Sequence, residues 1–365
     1  MAQQTGILTI EDLLSVETQS IVDYGYDQVA EAITTELEAH NEQMMGMVEM
    51  LATPTTENVD TYGGGGGGEM QEVDQEGRAP TQKTKGFSPV AYPLRKFQFN
   101  IGWTNNFMRT ASPADIARQT QNAEGRHRAK VIEQIKKALY VSSNYTFNDF
   151  LVNNLDLSVK RLVNADGEVI PPGTNGESFD ESTHTHYDAI DWSDPVTETS
   201  AKNEAVEALV DDVIEHGHGD TPIVVIARGD EAKLKDLDDF EPYKPVQIMR
   251  GDASDHATGT LRTDNLYNRA IGVLSSNGAE VWVKPWAVTN YMLCTDIGAS
   301  SDEKPLKFRQ RDQSSAQGLQ MQALIEAYPI TAEIMEAEFG FGVHQRTNGA
   351  ILYLGNSTYQ DPSFD

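Results

Sequence analysis

The sequence predicts an α+β fold, on three observations. Strand-like and helix-like stretches alternate irregularly, without the repeating βαβ rhythm of a doubly wound sheet. Ser112 to Tyr140 carries the signals of one long helix. Immediately before it, Arg78 to Trp103 reads as extended chain with no acidic residue.

Length and charge set the frame. The chain has 365 residues and a net charge of -28, enough for one large domain or two ordinary ones with a sizeable core. The charge is uneven: residues 1–77 hold 16 acids and no Lys or Arg, residues 78–137 are net +9, and residues 138–365 are net -21. Such a balance argues against nucleic-acid binding as the main task, because affinity for phosphates comes from Lys and Arg. The local sign reversal implies that the basic stretch meets acidic surface, elsewhere in the chain or on a neighbouring copy. The single cysteine, Cys294, excludes an intrachain disulfide and points to a reducing compartment. No apolar run reaches the roughly 18 residues that span a bilayer, and the acidic start does not resemble a secretory signal. With no such signal, the glycosylation-like triplets Asn144-Tyr145-Thr146 and Asn356-Ser357-Thr358 read as chance.

In chain order, Thr9 and Asp12 form a capping-box start. Apolar residues from Ile10 to Leu51 recur at three- and four-residue steps, giving one or two amphipathic helices bent at Gly25. Met44, Met45, Met47 and Met50 read as an adaptable packing surface. Gly63 to Gly68 is an unbroken glycine run followed by Glu69 and Met70, so it lacks the Gly-Lys-Ser/Thr ending of a phosphate loop and reads as a hinge. Glu69 to Asp74 and Ser88 to Trp103 are expected to pair as a long hairpin with a basic tip bearing Arg78, Lys83 and Lys85. A two-stranded ribbon is marginal by itself, so this one calls for a partner surface.

The long helix starts with Ser112 as cap, Pro113 in the first turn and Asp115 three residues after the cap. Its apolar face is thin in the first half and thick in the second, so one end is expected in a core and the other exposed or against a polar partner. A hairpin over Leu157 to Ile170 is expected to turn at Asn164-Ala165-Asp166-Gly167. Thr199 to His216 reads as a helix, Ile223 to Ala227 as a central strand and Glu231 to Leu237 as a short helix. Strands are expected at Ala279 to Val288, Tyr291 to Thr295, Met321 to Tyr328, Thr331 to Phe339 and Ala350 to Leu354.

Few residues suggest chemistry. His184-Thr185-His186 lies in an acidic loop with Asp188, and two residues apart on a strand face the same side. His216-Gly217-His218 ends a helix, where His216 suits the negative end of the dipole. No third ligand at a familiar spacing accompanies either pair. Cys294 lies in an apolar run and reads as inert, and no Gly-x-Ser-x-Gly elbow occurs. Arg228-Gly229-Asp230 and Arg250-Gly251-Asp252 read as turns. No catalytic residue, cofactor or metal is expected.

The order of pieces then becomes informative. A helical arm precedes the basic hairpin, with Tyr92-Pro93-Leu94 and Gly102-Trp103; a capped helix and an α+β region with Thr221-Pro222-Ile223-Val224-Val225-Ile226 follow. Gly278 to Trp286 and Glu338 to Ala350, the latter containing Phe339-Gly340-Phe341-Gly342, close the chain. This resembles the major capsid proteins of tailed bacteriophages, the Hong Kong coliphage type of fold shared with encapsulins.

The resemblance implies an N-terminal arm (1–60), an extended β-hairpin loop (61–104), a peripheral domain (105–198) with a spine helix (112–140), an axial domain (199–318), peripheral return strands (319–343) and a final axial strand with a tail (344–365). It implies self-assembly into hexamers and pentamers of an icosahedral shell around double-stranded DNA, with a portal protein, a separate scaffold and a decoration protein as partners. Packaged DNA would be touched only weakly, no membrane would be involved, and the virion would be assembled in the host cytoplasm. Arg78, Lys83, Lys85, Arg95, Lys96, Arg118, Arg126 and Arg128 are the expected assembly-interface residues. The type member crosslinks subunits between Lys and Asn; no Asn partner is identifiable here, so no crosslink is expected. The alternatives are an encapsulin-like compartment and, from another class, a metal-dependent hydrolase using His184, His186 and Asp188 with His218.

Overall fold

The structure is a computed structural model that describes residues 9–62, 72–75, 77–78, 88–104, 110–174, 176–219, 222–243, 269–300, 302–327 and 330–364. Helices α1 (Ile10–Leu14), α2 (Ile21–Tyr24) and α3 (Tyr26–Val48) form the N-terminal region. Thr9 and Asp12 cap each other's backbone as the capping box requires. The chain breaks at Gly25, whose φ of +115° is open to glycine and strained for other residues. Helix α4 (Pro113–Tyr140) begins where the Asp115 carboxylate accepts from both the Ser112 N–H and hydroxyl at 3.0 Å.

One face of helix α4 is buried along its whole length, from Pro113 and Ile116 through His127 to Tyr140. Its thin first half is covered by the chain's own helices: α1 and α3 both contact α4. The expectation of an exposed or partner-covered end is corrected by this packing. The methionines belong to the same junction, with Met44 buried and Met45, Met47 and Met50 packed against the core.

The first sheet contains β1 (Ala52–Thr55), β13 (Leu306–Gln310), β15 (Ile330–Val343) and β14 (Leu319–Ala327) in that order, with β4 (Arg95–Thr104) also pairing β15. Strand β15 is antiparallel to all three of its neighbours. It meets β13 over 339–343 and β14 over 330–337, while β4 runs beside it from Phe339↔Arg95 to Ile330↔Thr104. This corrects the expected hairpin: the ladder partner of residues 95–104 is β15, and residues 72–75 form no strand. A shorter pair, β2 (Val59–Tyr62) with β3 (Ser88–Ala91), closes the loop between them. The physical reason is length, since β15 offers fourteen residues of edge and the pre-hairpin segment offers few.

Strands β5 (Tyr145–Asn148) and β6 (Asp156–Val159) form a hairpin turning through 149–155. The hairpin expected at Asn164–Gly167 is therefore displaced. That segment is a turn in which Ala165 and Gly167 take positive φ and Asn164 bridges to Thr185.

The second sheet has seven strands: β7 (Tyr187–Ala189), β16 (Ala350–Tyr353), β12 (Tyr291–Asp296), β8 (Pro222–Ile226), β11 (Glu280–Val283), β10 (Arg269–Leu274) and β9 (Phe240–Pro242), in that order. Strand β8 is central and entirely buried, as its apolar run implies. Alternate residues serve two cores: Ile223, Val225, Leu293 and Ile351 join the core that holds α4. Val224, Ile226, Met292 and Cys294 join the core beneath α5 (Thr199–Ile214) and α6 (Glu231–Lys235). Strand β7 lies in the second sheet, and β13, inside the segment 199–318, lies in the first.

Candidate assembly surface and a histidine cluster

Two of the basic residues singled out in the sequence, Lys96 and Arg118, meet acids of the same chain. On the paired strands β4 and β15, Lys96 is opposite Glu338 and Gln98 opposite Glu336. The Lys96 ammonium reaches Glu336 at 2.5 Å, Gln98 donates to Glu336 at 2.7 Å, and Arg311 also contacts Glu338. Opposed charges directly across a ladder contribute up to about 1 kcal/mol each. Arg95 stacks over Phe147 at 4.7 Å, on the β5–β6 hairpin. Arg118 pairs with Glu17 at 2.5 Å, and Arg128 donates to Gln43 at 3.2 Å, both on the N-terminal region. Arg78 and Arg126 are exposed. Lys83 and Lys85 lie outside the described residues.

Buried charges hold the pieces together. Arg309 on β13 donates to the Tyr92 carbonyl and to Asp149, both at 2.8 Å, tying the chain ahead of β4 to the β5–β6 turn. Arg346 is 1% exposed and donates to Asp166 at 2.9 Å and to the carbonyls of Arg161 and Leu162. Asp166 is thereby held below the usual carboxylate range against its own burial. These two arginines were not picked out from the sequence; nothing in a linear reading distinguishes an Arg on a buried strand from one on the surface. At the α3–α4 junction, His40 and His127 face each other at 3.0 Å and burial lowers both to about 4. Glu124 beside them is pushed up to about 7 by burial and by Glu36.

The histidines do gather, in a different set from that expected. His184 and His186 precede β7, and His216 follows α5. The His184 Nε2 atom lies 3.2 Å from His186 Nε2 and 3.1 Å from His216 Nε2. Glu215 Oε1 is 3.3 Å from His184 Nε2 and 3.6 Å from His216 Nε2. Phe179 packs against the rings of His184 and His216. The expected set of His184, His186, Asp188 and His218 is corrected. Asp188 interacts with the buried carboxyl of Asp212, which is raised to about 9 by burial and by that like charge. His218 meets Thr347 at 3.0 Å. Glu215 and His216 were legible only as a helix end, because no sequence spacing relates them to residues thirty positions earlier. Cys294 is fully buried and burial pushes its thiol up, as an inert core cysteine requires.

No family model and no curated protein matches the sequence. The fold does match solved structures. A chain from Mycobacterium phage Patience superposes with a TM-score of 0.67 at 19% identity, over 99% of this chain and 96% of that one. Fainter likenesses include the capsid of a native GTA particle, at TM-score 0.48, 11% identity and 84% and 89% coverage. A holo-encapsulin complex from Synechococcus elongatus gives 0.42, 8%, and 88% and 90%. Both are too distant to add weight. The fold, of mixed helix and strand, is thus shared with the Mycobacterium phage Patience chain over nearly the whole length of both. Among the described residues no helix is long and apolar enough to cross a membrane.

Proposed function

We propose that this chain is a major capsid protein of a tailed bacteriophage. It self-assembles into hexamers and pentamers of an icosahedral shell around double-stranded DNA, built in the host cytoplasm. The observation that carries the reading is the likeness, over 99% of its length, to a phage chain of the same architecture. In this reading α4 is the spine of a peripheral domain, the second sheet is the core of an axial domain, and β4, β15 and β14 form a three-stranded extension. Among the described residues no strand pairs the outer edge of β4 or of β14, so both edges are open to neighbouring copies. Arg78 and Arg126, exposed on an acidic molecule, are the basic residues best placed to meet a neighbour. Portal, scaffold and decoration proteins would complete the particle, and no Lys–Asn crosslink would form.

Expression of the full chain, alone and with the scaffold encoded by the same phage, followed by negative-stain microscopy, tests this. Closed shells are the expected result, and DNA as the content of native particles separates a virion from an encapsulin-like compartment. A protein that stays monomeric under both conditions would sink the proposal.

A further inference from the structure

His184, His186, His216 and Glu215 bring four Lewis-basic atoms within 4.8 Å of one another, and their protons do not suffice to hold them there. His186 is fully buried, and its Nδ1 lies 2.8 Å from the Gly349 carbonyl, which can only accept. Nδ1 therefore carries the ring proton, and Nε2 of the neutral ring presents a lone pair. That lone pair points at His184 Nε2, which also faces His216 Nε2 and Glu215 Oε1. One proton on His184 Nε2 can serve only one of these three. Glu215 Oε1 is buried and receives no hydrogen bond.

A cation removes the conflict. Around a tetrahedral ion with N and O donors at about 2.0–2.1 Å, neighbouring donors stand about 3.3–3.4 Å apart. The observed spacings of 3.1, 3.2, 3.3 and 3.6 Å lie around that value. We propose that these four side chains bind one divalent transition-metal ion, zinc being the best fit to three imidazoles and a carboxylate. Four protein ligands make a closed, structural site. The hydrogen bond from His186 Nδ1 to Gly349 fixes the tautomer that ligation needs. The ion would fasten the end of α5 to the loop before β7 and, through Gly349, to the turn before β16. It would thus cross-brace the edge of the second sheet that is farthest from β9. This inference is independent of the shell assignment.

The test uses the full untagged chain, stripped with EDTA and dialysed against micromolar zinc chloride. Elemental analysis is expected to give about one zinc per chain, with a rise in melting temperature over the stripped protein. Zinc X-ray absorption is expected to show imidazole scattering at about 2.0 Å. Glu215→Gln, at the more exposed edge, is expected to fold and to bind zinc at least about tenfold more weakly, and His184→Gln with His216→Gln to lose it. Folded wild type without stoichiometric zinc overturns the proposal and leaves a His184–Glu215 ion pair as the explanation. Zinc retained in full by the double variant, or absorption spectra without imidazole scattering, overturns it equally, and the spectra decide if the double variant fails to fold.

Discussion

Arg309 is the residue whose loss is expected to be felt most. It is 2% exposed, and its partner Asp149 is 0% exposed. Removing one member of such a pair strands the other's charge in the core. Arg309→Met is therefore expected to cost about 3–5 kcal/mol, read from denaturant midpoints, and adding Asp149→Leu to recover most of it. Glu124 poses the opposite problem, a carboxyl held with its proton. Its folded pKa of about 7 exceeds the unfolded value near 4.5, so its contribution is fully present below about 4.5 and is lost as pH rises through about 7. The depressed His40 and His127 run the other way: theirs is present above about 6.5 and is lost as pH falls through about 4. Arg128 moderates Glu124 but does not cancel the burial. Glu124→Gln is expected to flatten the fall of melting temperature between pH 5 and pH 8 relative to wild type. An unchanged slope would show that this carboxyl titrates normally.

At the scale of elements, the helix ends were readable because capping is local: Ser112, Pro113 and Asp115 sit within four positions and do what their chemistry dictates. The central strand at 222–226 was readable from its unbroken apolar run. The extended segment before the long helix was recognised as strand, yet its partner was misjudged, because hydrophobic alternation fixes a strand's face and not the identity of its neighbour. The glycines of Phe339-Gly340-Phe341-Gly342 show what the sequence concealed. The chain at Ala91–Pro93 lies directly on β15, and a Cβ at Gly340 would stand 2.0 Å from the Pro93 carbonyl oxygen. At Gly342 it would meet the Ala91 carbonyl at 2.8 Å. Gly340→Ala is thus expected to cost at least about 1–3 kcal/mol, since backbone and not a flexible side chain must retreat. Urea unfolding of the variant measures it; a midpoint within error of wild type refutes the close packing.

At the scale of the whole molecule, the net charge of -28 governs how copies approach one another. Part of the basic stretch is answered in cis, Lys96 by Glu336 and Glu338 and Arg118 by Glu17, and the molecule as a whole stays strongly acidic. Like-charged subunits repel at long range, and salt shortens that range from about 30 Å at 0.01 M to about 8 Å at 0.15 M. Assembly of the proposed shell, followed by light scattering, is expected to quicken as salt is raised from about 0.01 to about 0.15 M. Slower assembly over that interval would mean that trans ion pairs dominate the contact.

The sequence by itself determined what is encoded locally: the α+β class, the capped ends of α1 and α4, the buried character of β8 and the order of elements that resembles a capsid protein. Those features depend on residues within a few positions of one another. Tertiary structure alone decided that β4 would lie on β15, that Arg309 and Arg346 would be buried, and that His216 and Glu215 would join His184 and His186. Each of these joins residues tens to hundreds of positions apart. Which of many chemically acceptable partners is taken is settled by the packing of the whole chain, where edge length, volume and the satisfaction of buried polar groups are decided together.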